Sequence, residues 1–106
     1  MGSFLYNDSI MASSLDYLTY VLELLRNVPG ITYKKMMGEY LLYADGILFG
    51  GVYDNRFLLK PTPTLEAEGL RRQIPYLGAK PMALVDVEDP NEVARLVSLV
   101  LEGLRQ

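Results

Sequence analysis

The side chains able to do chemistry here are tyrosines, cations and carboxylates, because the 106-residue sequence contains neither Cys nor His. That absence removes thiolate nucleophiles, His-based triads, disulfide frameworks and the usual zinc ligands. Only Ser-Lys or carboxylate chemistry is left for catalysis. The first grouping is Tyr40, Gly51, Tyr53, Arg56 and Lys60, an aromatic and cationic set that can stack bases and hold phosphates, or form a protein interface. The second is Tyr76 with Lys80, inside the proline- and glycine-punctuated run Ile74 to Pro81, where Lys80 could take an anion or a partner. The third is carboxylate: Asp86, Glu88 and Asp89 together, and Glu39 in reach of Tyr43 or Lys60. A reaction needs several groups converging in one pocket, and acids ahead of a helix are explained by capping and dipole effects. No catalytic residue, metal site or cofactor is therefore expected.

Each grouping also has a purely structural reading. Tyr40, opposite Gly51, would shield the glycine in a sheet packed under a helix or a dimer partner, with Arg56 and Lys60 at strand ends. Gly50 and Gly51 would permit close packing, on the apolar side and the other side respectively. Tyr76 and Met82 would plug the core while Lys80 ends a strand.

The elements that position these residues are legible from turn chemistry. Residues 39–60 read as three short apolar runs cut by Asp45-Gly46 and by Asp54-Asn55. Both breaks suit two-residue type I′ turns, whose central residues need positive φ. The implied pairs are Ala44 with Ile47, Leu42 with Phe49, Tyr40 with Gly51, Tyr53 with Arg56, Gly51 with Leu58 and Phe49 with Lys60. Strict alternation then puts Leu41, Tyr43, Leu48, Val52, Phe57 and Leu59, with Gly50, on a core face. Tyr40, Leu42, Ala44, Ile47, Phe49, Gly51, Tyr53, Arg56, Leu58 and Lys60 share the other face, which is too apolar to stand in water alone.

Around the meander, Leu15, Leu18, Leu22 and Leu25, in a stripe widened by Tyr17, Tyr20, Val21, Leu24 and Val28, predict a helix capped at Ser13 or Ser14 and ended by Pro29-Gly30. Ile31 to Met37 reads as an edge strand, with its register open between a two-residue Met37-Gly38 turn and a longer one. Thr64 to about Gln73 predicts a short helix, and Met82 to Val87 a further strand. A last helix starts at Asp89-Pro90 and presents Val93, Leu96, Val97, Val100, Leu101 and Leu104 on one face. The fold class is α+β, an antiparallel meander of about four to five strands packed with N-terminal and C-terminal helices.

In sequence order, MASSLDYLTYVLELL, ITYKKMMGEYLLYADG, GGVYDNRFLLKPT and PYLGAKPM resemble the N-terminal domain of TfoX/Sxy proteins from Met11 to the final helix. The resemblance implies a meander covered by N- and C-terminal helices, and a regulatory role. The best-known relatives regulate natural competence as transcriptional co-activators, and the full-length regulators add a helical C-terminal domain. This sequence, ending at Gln106, is expected to stand without that domain. No catalytic residue comes with the resemblance.

Composition sets the outer bounds. Half of the residues are hydrophobic, yet no apolar run approaches membrane-spanning length, so a soluble globular protein is expected. Because residues 1–10 lack the features of a secretory signal, its expected location is cytoplasmic. The formal charge of −3 disfavours a dedicated duplex-DNA binder. Residues 1–10 are expected to be a leader or disordered extension ahead of a natural start at Met11, and residues 11–106 a single domain. The functional expectation is a non-catalytic regulatory domain whose partner is another protein, the transcription machinery being one candidate and a second copy of the chain another. The alternatives are weak nucleic-acid or nucleotide binding through Tyr40, Tyr53, Arg56 and Lys60, and, third, a small hydrolase or ligand carrier.

Overall fold

Three two-residue turns set the meander. In the computed structural model, which describes residues 13–105, strand β1 (Ile31–Met36) turns through Met37-Gly38 into β2 (Glu39–Ala44). Asp45-Gly46 leads into β3 (Ile47–Val52), and Asp54-Asn55 into β4 (Phe57–Leu59). All six turn residues have positive φ, from 50° at Asp45 to 82° at Gly38, as type I′ geometry demands. The Asp45-Gly46 and Asp54-Asn55 turns are those the sequence predicts. The register left open for β1 is settled by the two-residue turn at Met37-Gly38, which pairs Lys34 with Leu41.

One irregularity decides which face is which. Ala44 pairs with Ile47 and Tyr43 with Leu48 as expected, but Leu42 then pairs with Gly50, Leu41 with Gly51 and Tyr40 with Val52. Phe49 is the extra residue of a β-bulge, and from there each β2 residue meets β3 one position further along. This corrects the expected faces. Tyr40, Leu42 and Ala44 join Val52, Phe57 and Leu59 in the core, whereas Leu41, Tyr43 and Leu48 lie on the opposite face and are only half-buried. The bulge lets Phe49 become fully buried without losing the β3–β4 register, in which Gly50 faces Leu59, Gly51 faces Leu58 and Lys60 N–H donates to the Phe49 carbonyl.

Beyond β4 the chain forms one helical turn, α2 (Pro63–Glu66), reaches the far sheet edge as β5 (Arg72–Gln73), and returns as β6 (Met82–Leu84) between β5 and β4. The sheet is thus six-stranded and antiparallel, in the order β1-β2-β3-β4-β6-β5, with slightly more strands than the sequence predicts. The expected helix to Gln73 stops early because Gly69, at φ +65°, breaks it. The following residues gain a ladder partner instead, Leu84 N–H donating to the Arg71 carbonyl.

Helix α1 (Leu15–Leu24) and helix α3 (Pro90–Leu104) both lie on the core face. Ser14 caps α1 and Asp89 caps α3, with Pro90 opening the latter as the sequence predicts. The α1 stripe is buried over most of the width its spacing suggests, with Leu15 and Tyr20 left out of it. Leu18, Val21, Leu24 and Leu25 are buried, whereas Leu15 is 64% exposed. That helix also ends before Pro29, in a turn where Val28 N–H donates to the Leu25 carbonyl, because a residue preceding proline disfavours the helical conformation. Val93, Leu96, Val97 and Val100 of α3 complete the core, and Leu65 of α2 joins it. The architecture is two-layered, with a sheet carrying every helix on one side. The readings of residues 1–10 and of Met11 lie outside the described residues.

Candidate functional site

The sheet face that carries no helix holds the chemistry. Crossing it from β1 are Lys34, then Leu41 and Tyr43, then Leu48 and Gly51, then Leu58 and finally Leu84. Tyr53 lies on this face over Gly51, where a Cβ would stand 2.7 Å from the Tyr53 ring and 2.8 Å from the Tyr40 carbonyl oxygen. The missing side chain of Gly51 is therefore filled by Tyr53. At Gly50 an added Cβ would collide with the Leu58 carbonyl oxygen of the neighbouring strand. Both glycines serve close packing within the sheet.

The five-residue grouping drawn from the sequence divides. Tyr40, displaced by the bulge, sits in the core face, where its ring packs edge-on to Tyr33 with centroids 5.8 Å apart and the Lys35 ammonium lies 6.0 Å from its centroid. Gly51, Tyr53, Arg56 and Lys60 remain on the open side, so the four nucleic-acid candidates Tyr40, Tyr53, Arg56 and Lys60 do not share one surface. Arg56 is committed to protein acceptors. Its Nε donates to the Tyr53 carbonyl at 3.1 Å, its Nη1 to Gln73 Oε1 at 2.9 Å and to the Ile74 carbonyl at 3.1 Å, and its Nη2 to the Pro75 carbonyl at 3.0 Å. A planar guanidinium with fixed donors fits such a fan of carbonyls, which a single ammonium does not.

That clamp presses the 74–81 loop against the sheet and shapes a cleft. Lys60, Thr62, Tyr53, Pro75, Tyr76, Lys80, Pro81, Met82 and Leu104 line a hollow of about 410 Å³. Tyr53 and Tyr76 stand with ring centroids 6.3 Å apart at 49°, Tyr53 buried and Tyr76 56% exposed. The structure therefore brings together Tyr53 and Lys60 from one predicted grouping with Tyr76 and Lys80 from the other. Tyr76 does not plug the core. Its neighbours Ile74 and Leu77 are exposed as well, and with Tyr76 they line a second hollow containing Glu39, Asp54 and Arg56.

Burial raises the Tyr53 hydroxyl to a pKa of about 12, assisted by Glu39, Tyr76 and Tyr43, so it stays protonated at neutral pH. Glu39 is raised by burial, an effect that the Arg56 charge opposes. Among the described residues no hydrogen bond joins Glu39 to Tyr43 or to Lys60, so that trio is not assembled. Asp89 is spent on the α3 cap, where its carboxylate accepts from Asn91 N–H, and Asp86 and Glu88 are exposed. The described residues contain no group of three or more acidic side chains placed to hold a metal ion. Sequence reasoning missed the open apolar trio Leu41, Tyr43 and Leu48, and the cleft walls Thr62, Pro75 and Leu104. The repeated Lys-Pro dipeptides at Lys60-Pro61 and Lys80-Pro81 were a usable sign of two cations on restricted backbone.

Comparison with known proteins bears on this arrangement. The family model described as the TfoX N-terminal domain matches residues 23–102. The chain belongs to that family. Among curated relatives of this TfoX N-terminal domain, an uncharacterized 12.7 kDa protein in the trpE 5′ region of Spirochaeta aurantia is 35% identical over 78 residues. The aligned part is 72% of this chain and 68% of the relative. The matched span includes the open sheet face and every cleft residue named above except Leu104, which lies just beyond it on α3. No helix among the described residues of this TfoX-type domain is long and apolar enough to cross a membrane.

Proposed function

We propose that this TfoX-type domain acts by binding a protein rather than by catalysis, as a regulatory module of the competence-related kind its family suggests. The observation that carries the reading is the sheet face without a helix, where Leu41, Tyr43 and Leu48 are half-buried and contiguous. An apolar centre with Lys34 and Glu39 toward its edge has the composition of a protein interface, an apolar middle within a polar rim. Its partner class is another protein surface, and the transcription machinery is the one the family's regulatory role suggests. Self-association through the same face is the form of the reading most directly tested.

Sedimentation velocity over a concentration series is the test. The expected result is a concentration-dependent dimer that Leu48→Glu disrupts while leaving the far-UV circular dichroism unchanged. A strict monomer at the highest attainable concentration, or a dimer indifferent to Leu48→Glu and Tyr43→Glu alike, rejects self-association through this face.

A further inference from the structure

We propose that the cleft between the end of β4 and the 75–82 segment binds a small organic anion with a planar ring. The hollow of about 410 Å³ falls in the range of small-molecule sites, roughly 300–1,000 Å³. Its lining contains Lys60 and Lys80 and no carboxylate, in a chain whose acidic residues outnumber its basic ones by 13 to 10. Among the described residues the ion pairs engage Arg26 and Arg95, so neither cleft lysine has an acidic partner. Two lysines without acidic partners lining one carboxylate-free hollow favour an anion and disfavour a metal cation.

The remaining walls select the rest of the ligand. Tyr76 offers an exposed aromatic surface with the largely buried Tyr53 beside it, and Pro75, Pro81, Met82 and Leu104 offer apolar contact. A planar ring gains from stacking on an aromatic surface, as bases do on the aromatic side chains of single-strand binders. The Tyr53 hydroxyl remains protonated at neutral pH and adds no negative charge to the site.

The site is held in place before any ligand arrives. Each lysine precedes a proline, which restricts its backbone to extended conformations. Arg56 fixes Pro75 through its carbonyl. On the opposite wall the Thr64 hydroxyl donates to the Leu99 carbonyl, so it must accept from the Thr62 hydroxyl, and this relay ties the segment after Lys60 to α3. Thr62 also packs on Gly103, where an added Cβ would come within 2.6 Å of the threonine Cβ. Such preorganisation reduces the ordering that binding must otherwise bring about.

The test titrates the full chain, by calorimetry and by the NMR signals of the tyrosine rings, with adenosine 5′-monophosphate and with 1-naphthoate. These carry phosphate and carboxylate heads on planar rings, and the stronger binder identifies the source of the anion. Adenosine and inorganic phosphate supply ring and charge separately. The expected result is a Kd near or below about 1 mM for at least one ringed anion, with adenosine and phosphate weaker by about tenfold or more. Tyr53 and Tyr76 should shift on binding. Lys60→Met/Lys80→Met should weaken binding by about tenfold, whereas Lys35→Met on β1 should leave it within about twofold. The proposal is overturned if neither ringed anion binds at about 10 mM, if phosphate alone binds as tightly, or if the β1 variant loses as much as the cleft variant.

Discussion

Arg56 Nη2 donates to the carbonyl oxygen of Pro75 at 3.0 Å, fastening the β3–β4 hairpin to a loop 19 residues further along the chain. With its bonds to Tyr53, Gln73 and Ile74, this one side chain holds the wall shared by the cleft and the neighbouring hollow. Arg56→Ala should destabilise the fold by about 2 kcal/mol, because several part-buried acceptors lose their donor together. Arg56→Lys should recover little of that, since one ammonium cannot span the fan. Urea denaturation measures the loss, and amide exchange across residues 73–77 should accelerate. Unchanged exchange there would contradict the clamp.

Asn55 joins the same hairpin to the start of α1. Its N–H donates to Ser13 Oγ at 3.0 Å, its Oδ1 accepts from Ser14 N–H at 2.8 Å, and its backbone sits at φ 55°. Asn55→Gly keeps the turn conformation and removes only the side-chain acceptor, at a cost of about 1 kcal/mol. Asn55→Ala adds left-handed strain of about a further 1 kcal/mol. The expected order of thermal midpoints is wild type, then Gly, then Ala. An Ala variant as stable as the Gly variant would contradict the positive-φ requirement.

The adjacent glycines should differ in their tolerance. Gly50→Ala meets the backbone of β4, which cannot move without breaking the ladder, and should cost about 2 kcal/mol or more. Gly51→Ala meets the Tyr53 ring at 2.7 Å and the Tyr40 carbonyl oxygen at 2.8 Å, so one of its two obstacles is a side chain. Adding Tyr53→Ala should therefore offset part of the Gly51→Ala loss and give a non-additive double-mutant cycle, whereas the same addition to Gly50→Ala should not. Additivity in the Gly51 cycle would remove Tyr53 from that contact.

Tyr53 also imposes an alkaline limit on stability. Folding raises its pKa from 10.0 to about 12, chiefly by burial. Between those values the unfolded chain has released a proton that the folded chain keeps. The stabilisation is therefore intact below about pH 10 and is lost as the pH rises toward 12. Tyr17 is raised in the same direction, first by burial, so Tyr53→Phe should flatten the decline without abolishing it. Urea midpoints across that range compare the two slopes, and identical slopes would contradict the assignment.

The parts of this fold legible in the sequence are those set by neighbouring residues. Asp45-Gly46 and Asp54-Asn55 announce their turns because positive φ is a local demand that few residue types meet. Asp89-Pro90 announces the start of α3 in the same way, through a capping side chain and a ring that suits the first helical position. The four apolar runs that became β1 to β4 and the stripe of α3 follow from periodicity. The resemblance to the TfoX N-terminal domain rested on short motifs and was matched by the family comparison.

The bulge at Phe49 was not legible, and its consequences spread furthest. Whether a strand takes an extra residue depends on the fit of a ring into a core built from distant helices, and strict alternation carries no trace of it. That single residue exchanged Tyr40 with Leu41 and Tyr43 between core and open face, splitting the predicted aromatic-cationic set. The turn of α2 into β5 was hidden for a related reason, since a two-residue edge strand exists only because β6 supplies its ladder. From local φ preferences and spacing, the sequence by itself determined the Asp45-Gly46 and Asp54-Asn55 hairpins, the Asp89-Pro90 helix start and the residue types able to bind an anion. Only the tertiary structure decided that Lys60 and Lys80 line one cleft with Tyr53 and Tyr76, while Arg56 is withheld from it. Convergence of residues 20 positions apart is a matter of packing and long-range hydrogen bonding, which no local preference encodes.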